Sequence, residues 1–229
     1  MENQKYSYIS TKFSIDNIKT ERNKFLKNGT LTGFDLLESG KEVVTKEYFD
    51  TPDFFFSQKG IAINKNILKG SNMAKLIVRY QNTKQRIEFL SNMPEVFEKY
   101  IPVKDSILKY TDFIAECILE LVPYGLDVDV KNVLKNIRNV FSSKKQRLKY
   151  RYINMGGLKV TVYFTKAEYT TPLNRKKENL LMLEINSDNK ETKADYDTFI
   201  KKVKFDNPEL IQLEGSDYLL GKSLLFDKN

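Results

Sequence analysis

The chain has 229 residues, 41% hydrophobic and 30% charged, with 38 Lys and Arg against 30 Asp and Glu for a formal net charge of +8. That size and balance allow a sizeable packed core and exclude a disordered or collagen-like chain. No histidine is present and Cys117 is the single cysteine, which excludes imidazole bases, His-ligated zinc and an intrachain disulfide.

Taken in order, residues 6–15 alternate, with Tyr6, Tyr8, Ser10 and Lys12 on one face and Ser7, Ile9, Thr11 and Phe13 on the other, which predicts a strand. Ser14 or Asp16 then caps a predicted helix with the apolar stripe Ile18, Phe25 and Leu26, stopped by Gly29. Residues 42–49 predict a strand that ends in the turn Asp50-Thr51-Pro52-Asp53. Asp50 and Thr51 can bond the turn backbone, and Pro52 fixes φ and removes a ladder donor. After Phe54-Phe55-Phe56, Gly60 lets the chain reverse into a strand over 61–68. Strands over 75–80 and 86–90 follow, joined by Gln81-Asn82-Thr83-Lys84.

The period then changes. Residues 94–100 and 104–122 carry apolar side chains at helical spacing, among them Ile107, Ile114, Ile118 and Leu121, and Pro123 ends the run. Cys117 lies in this pattern and reads as a small buried hydrophobe. A helix is predicted over 129–141, with Val130, Val133, Leu134, Ile137 and Val140 inward. Strands return over 144–153 and 158–168, as a hairpin around Asn154-Met155-Gly156-Gly157, whose glycines supply positive φ. A strand over 180–186, a helix over 192–203 and an apolar tail with Tyr218, Leu219, Leu224 and Leu225 complete the chain. The expectation is one α+β domain over 1–229, with about eight strands and a helical insertion at about 94–141.

No apolar run approaches the roughly 20 residues that span a bilayer, and the first residues have no apolar signal-like stretch. With the lone cysteine, this predicts a cytoplasmic protein without a membrane partner. The positive charge fits either an anionic partner (phosphate, nucleotide or nucleic acid) or solubility alone.

The alternation sharpens that choice. Lys145, Arg147, Lys149 and Arg151 share one strand face, while Leu148, Tyr150 and Tyr152 share the other. Lys75 and Arg79 share a second face with Ile77, Arg86 and Glu88 a third, and Glu184 and Met182 a fourth. Like charges in a row repel. They therefore belong either on the solvated outside of an antiparallel sheet or inside a closed or nearly closed antiparallel barrel, with helices packed outside. A barrel of about eight strands has room for one small ligand.

The run Tyr48-Phe49-Asp50-Thr51-Pro52, followed by a short apolar turn, Gly60 and a strand, resembles the signature of the CYTH, or triphosphate tunnel, superfamily, which includes class IV adenylate cyclases and thiamine triphosphatases. The resemblance implies an antiparallel tunnel whose basic residues grip a triphosphate and whose carboxylates hold Mg²⁺ or Mn²⁺. Carried over, Lys12 falls on the lysine of the N-terminal Glu-x-Glu-x-Lys motif and Arg79 on the basic end of the central strand. Arg86 with Glu88 falls on the Arg-x-Glu pair, Arg147 on the basic residue opening the second half, and Glu184 on the second Glu of the late Glu-x-Glu. The chain departs from the pattern at Tyr8 and Ser10, where two glutamates belong, and at Asn64 and Asn66, where two cations belong, with Lys65 nearby but out of phase. It departs again at Tyr163 or Phe164, where an aspartate belongs, and at Met182, where a glutamate belongs.

Losing carboxylates while keeping cations makes such a tunnel more attractive to anions and less catalytic, because phosphoryl transfer draws on metal charge. The resemblance thus implies a degenerate tunnel binding a phosphorylated small molecule, nucleotide or polyphosphate through Lys12, Lys75, Arg79, Arg86, Lys145, Arg147, Lys149 and Arg151. Glu88 and Glu184 are left as the residual Mg²⁺ or Mn²⁺ ligands. One alternative is an active metal-dependent triphosphatase using Glu38, Glu42, Glu88, Glu168 and Glu184. Another is a nucleic-acid or protein-interaction module, disfavoured because Tyr150 and Tyr152 face away from Arg147 and Arg151.

Overall fold

The structure, a computed structural model, describes residues 9–26, 31–80, 96–121, 129–187 and 192–227. Alternating segments form nine strands: β1 (Ile9–Ser14), β2 (Phe34–Asp50), β3 (Ile61–Leu68), β4 (Met73–Tyr80), β5 (Val96–Pro102), β6 (Arg138–Asn154), β7 (Lys159–Thr170), β8 (Lys177–Ser187) and β9 (Ile211–Leu213). They make one antiparallel sheet in the order β5-β4-β3-β2-β6-β7-β8-β1-β9. Among the described residues six helices accompany it: α1 (Ile18–Phe25), α2 (Phe55–Gln58), α3 (Thr111–Leu121), α4 (Val130–Leu134), α5 (Lys193–Asp206) and α6 (Asp217–Phe226).

The sheet curls. β1 and β2 are separated by β8, β7 and β6, which would hold them about 19 Å apart in a flat sheet at ~4.8 Å per strand. Yet Lys12 of β1 and Lys46 of β2 reach the same carboxylate, that of Asp217, at 3.0 and 2.6 Å. The result is a nearly closed tunnel whose edge strands β5 and β9 are not hydrogen-bonded to each other.

Side-chain alternation divides the packing into an outside and an inside. Outside, α3 buries Ile114, Ala115, Cys117, Ile118 and Leu121 against β3, β4 and β5. Burial pushes the Cys117 thiol up to about 12, so it behaves as the small hydrophobe expected. Also outside, α5 presents Tyr196, Ile200 and Val203 to Phe164, Leu183 and Ile185, where α1 joins the same cluster through Phe25. Inside, α6 fills one end of the tunnel, packing Tyr218 and Leu225 on Tyr48, Phe141, Ala167, Tyr169 and Met182.

Several expectations are corrected. Residues 96–102 form β5, not a helix. Phe97 and Ile101 are four apart and share a face in either conformation, so pairing with β4 settles the matter. The helix predicted over 129–141 stops at Leu134, and Arg138 already belongs to β6. The helix α1 is capped by Asn17, whose side chain accepts from the Thr20 amide, and not by Ser14 or Asp16. In the β6–β7 turn Gly157 alone takes positive φ, at +83°. Tyr6, Tyr8, Gly29 and the turn and strand predicted over 81–90, with Arg86 and Glu88, lie outside the described residues.

Candidate functional site

The long strand β6 supplies the row of cations. Its Lys145, Arg147, Lys149 and Arg151 stand opposite Ala167, Thr165, Tyr163 and Thr161 of β7, and opposite Val44, Glu42, Gly40 and Glu38 of β2. Paired positions share a face. The same face includes Glu184, which pairs with Tyr163 on one side and Lys12 on the other. Tyr150 and Tyr152 point the other way into the outer core, where Tyr152 is buried.

Carboxylates interleave with these cations. Glu184 accepts from the Thr165 hydroxyl at 2.7 Å and from Lys145 and Arg147 at 3.4 Å each. Arg147 also donates to Glu42 at 3.2 Å and lies 4.8 Å over the Tyr163 ring. Lys149 reaches Glu38 at 3.0 Å, and Lys75 of β4 reaches Glu98 of β5 at 2.8 Å. Arg79, opposite Ala62, lies on the same inner face near the α6 end. Lys12, Lys75, Arg79, Lys145, Arg147, Lys149 and Arg151 therefore share the tunnel's interior face, and Lys12, Lys145, Arg147 and Glu184 form its centre.

Two central residues were not anticipated. Asp217, the first residue of α6, accepts from Lys145 and Lys12 through Oδ1 at 2.9 and 3.0 Å and from Lys46 through Oδ2 at 2.6 Å. Lys46 had a legible signal, since it alternates with Glu42 and Tyr48 along β2. Asp217 had a local one only: Ser216-Asp217 is a helix start, and Ser216 caps α6 by accepting from the Leu219 amide. Nothing in the sequence says that this start enters the tunnel.

Deep beside this cluster lie three hydroxyls. Tyr48 Oη, Ser143 Oγ and Tyr169 Oη are buried and have no hydrogen-bond partner among the described residues. Ser143 is flanked by Lys46 on β2 and Tyr169 on β7, with Tyr48 one pair further along. The Ser143 hydroxyl lies near enough to Tyr48 to ease ionisation of the phenol slightly, though outside hydrogen-bond geometry. Burial, reinforced by Asp217, holds both phenols well above their ordinary value, so both remain protonated donors.

The electrostatics follow from burial and proximity. Burial disfavours ionisation of Asp217, but Lys12, Lys145, Lys46 and Arg147 outweigh it and hold the carboxyl well below the usual range. Glu184 is lowered in the same way by Lys145 and Arg147 against its burial. Burial drives Lys145 down to about 8 despite Asp217 and Glu184. For Arg147, burial is outweighed by Glu184, Asp217 and Glu42, which raise it.

Several positions that depart from the signature have structural roles of their own, while Tyr8 lies outside the described residues. Asn64 donates to Asn66 at 2.7 Å on the inner face. Lys65 points outward, buried, and donates to the Val103 and Asp105 carbonyls at 2.5 and 2.9 Å. Met182 packs under α6, Phe164 lies in the outer core, and Tyr163 supports Arg147. Glu168 is on the outer face, paired with Lys177 at 2.8 Å, and so is not one of the tunnel carboxylates.

A divalent Mg²⁺ or Mn²⁺ needs about six oxygen ligands at short range. Among the described residues no group of three or more Asp, Glu or Cys side chains could hold one. Glu184 and Glu42 are both committed to Arg147, and Glu184 also to Lys145 and Thr165. The carboxylates among the described residues do not fit a metal site, and Glu88 lies outside them. No helix among the described residues is long and apolar enough to cross a membrane.

No family model and no curated protein matches the sequence. Solved structures do match. A candidate adenylate cyclase from Vibrio parahaemolyticus is 12% identical with a TM-score of 0.50, covering 95% of this chain and 98% of its own. A candidate adenylyl cyclase from Hippeastrum, described as having a dominant triphosphatase activity, is 12% identical with a TM-score of 0.53, covering 95% and 96%. A candidate adenylate cyclase from Bacillus halodurans is 11% identical with a TM-score of 0.50, covering 94% and 96%. The nine-stranded curled sheet, its inward cations and these likenesses agree with the 48–52 signature: the chain has the fold of the CYTH, or triphosphate tunnel, superfamily.

Proposed function

We propose that the protein is a divergent CYTH-type binder of a phosphorylated small molecule, nucleotide or polyphosphate, with weak or no metal-dependent hydrolysis. The observation that carries this reading is the convergence of Lys12, Lys46, Lys145 and Arg147 on two carboxylates, Asp217 and Glu184, so that both acids are engaged by cations. A polyphosphate chain offers these cations more oxygens than the carboxylates do. Lys75, Arg79, Lys149 and Arg151 extend the same face towards the remainder of the ligand. Tyr150 and Tyr152 belong to the outer core, so they supply no stacking surface beside the cations, and nucleic acid is the less favoured partner. A cytoplasmic setting fits the lone buried thiol.

A second reading, an active triphosphatase, draws on one observation. Glu42 and Glu184 approach Arg147 through different guanidinium nitrogens. Transfer of Arg147 onto a phosphate would leave two carboxylates facing one space. Calorimetric titration with tripolyphosphate, ATP, GTP and thiamine triphosphate tests the binding reading. Phosphate release with Mg²⁺ or Mn²⁺, wild type against Glu184→Gln, separates the two: a flat assay supports the first, and turnover lost in the variant supports the second.

A further inference from the structure

The tunnel already contains an anion of its own. Asp217 presents two carboxylate oxygens to three ammonium groups on three strands: Lys12 on β1, Lys46 on β2 and Lys145 on β6. Three ammonium groups thus meet on two carboxylate oxygens, and Lys145 also donates to Glu184. Among the described residues, Tyr48, Ser143 and Tyr169 bring to the same end of the inner face three buried hydroxyls with no partner in hydrogen-bond geometry. Buried hydroxyls are ordinarily bonded, so three together mark a position built for a further acceptor. A phosphoryl group has three terminal oxygens and can accept from ammonium and hydroxyl donors at once.

We propose that Lys12, Lys46 and Lys145, with Tyr48, Ser143 and Tyr169, form a subsite for the terminal phosphoryl of the ligand, and that Asp217 is a resident competitor that must leave with the start of α6 when the ligand enters. The inference rests on the anion-binding reading above and adds its regulation. The helix is suited to the role. Only its first residue enters the ion cluster, Tyr218 ties it to Asp50 at 2.8 Å, Lys222 reaches Ser57 at 3.4 Å, Lys176 donates to the Leu225 carbonyl at 3.0 Å, and apolar packing holds the rest. Displacement therefore exchanges one set of ion pairs for another, without a net charge left buried in the tunnel. The apparent affinity of the resting protein is the intrinsic affinity reduced by the fraction of molecules with α6 withdrawn.

Inorganic tripolyphosphate is the probe. Asp217→Asn keeps the size and helix-start character of the side chain but removes its charge. The variant is expected to bind tripolyphosphate about tenfold tighter than wild type or more, and Tyr169→Phe added to it is expected to return part of that gain. An Asp217→Asn protein that folds and binds no tighter than wild type overturns the proposal. The wild-type protein supplies a second measurement should the variant not fold. Amide exchange over residues 217–226 is expected to quicken on saturation with tripolyphosphate, and unchanged or slowed exchange overturns the proposal. Absence of tripolyphosphate binding by both proteins removes the parent reading as well. Binding with α6 still protected removes this inference alone.

Discussion

The Tyr218 hydroxyl donates a 2.8 Å hydrogen bond to the Asp50 carboxylate, joining α6 to the turn that follows β2. Asp50 also accepts from the Thr51, Phe56 and Ser57 amides at 2.8, 3.0 and 3.0 Å. Burial raises its pKa, and these four hydrogen bonds oppose the rise. The aspartate of the signature run thus has two structural roles. It organises the turn into α2, and it anchors the helix whose first residue, Asp217, reaches the tunnel cations.

Asp50→Ala leaves three backbone amides and one phenol without an acceptor, and should cost about 3 kcal/mol or more. Tyr218→Phe removes one hydrogen bond and should cost about 1 kcal/mol. Because both changes act on one contact, their effects should fall short of additivity by about 0.5 kcal/mol or more. Urea denaturation of the two single variants and the double variant measures this, and strict additivity would count against the contact.

Gly221 lets α6 lie flat on the aromatic floor. A Cβ there would stand 2.4 Å from Phe141 Cε2 and 2.8 Å from Tyr169 Cδ1. Both rings are fully buried, so neither can give way cheaply. Gly221→Ala should destabilise by about 1–3 kcal/mol and loosen α6, read as faster proteolysis at the C-terminal end. An alanine variant as stable and as resistant as wild type would contradict the observed seating of the helix.

Acid should weaken the fold through the tunnel. The carboxyls of Asp217 and Glu184 are held below their ordinary values of 3.8 and 4.5. A carboxyl lowered in the folded state contributes stability above its unfolded value and loses it as pH falls through the folded one. Thermal midpoints should therefore decline as pH drops below those ordinary values, and Asp217→Asn should flatten the decline. An equal slope in that variant would show that Asp217 is not part of the linkage.

Alkali should separate stability from binding. Lys145 is lowered to about 8 from 10.5, so between these values the unfolded chain holds the proton more often than the folded one. Through this group stability rises with pH across that window. Tripolyphosphate affinity should instead fall as pH passes 8, because the neutral amine no longer attracts the anion. Lys145→Met should remove both trends, and a pH-independent affinity in wild type would exclude Lys145 from the binding face.

How much of this was legible follows from periodicity. The inward row Lys145, Arg147, Lys149 and Arg151 and the outward Tyr150 and Tyr152 could be read directly, because a strand has period two. The turn at Asp50 was also readable from its residue types, but its bond to Tyr218 spans 168 residues and leaves no local pattern. Asp217 escaped for the same reason: it looks like an ordinary charge at a helix start, and the sheet's curl makes it a partner of Lys12 and of Lys46, whose phase with Glu42 and Tyr48 along β2 was readable. The strand β5 was misread because Phe97 and Ile101 satisfy a helix and a strand equally.

On the proposed function, the interior cations bind a polyphosphate anion without needing a metal. Calorimetric titration of tripolyphosphate into the wild-type protein, at low ionic strength with a chelator present, tests it most directly. Saturable binding is expected that weakens steeply with added salt and is reduced at least tenfold by Arg147→Met. Absence of binding to tripolyphosphate, ATP, GTP and thiamine triphosphate under these conditions would contradict it.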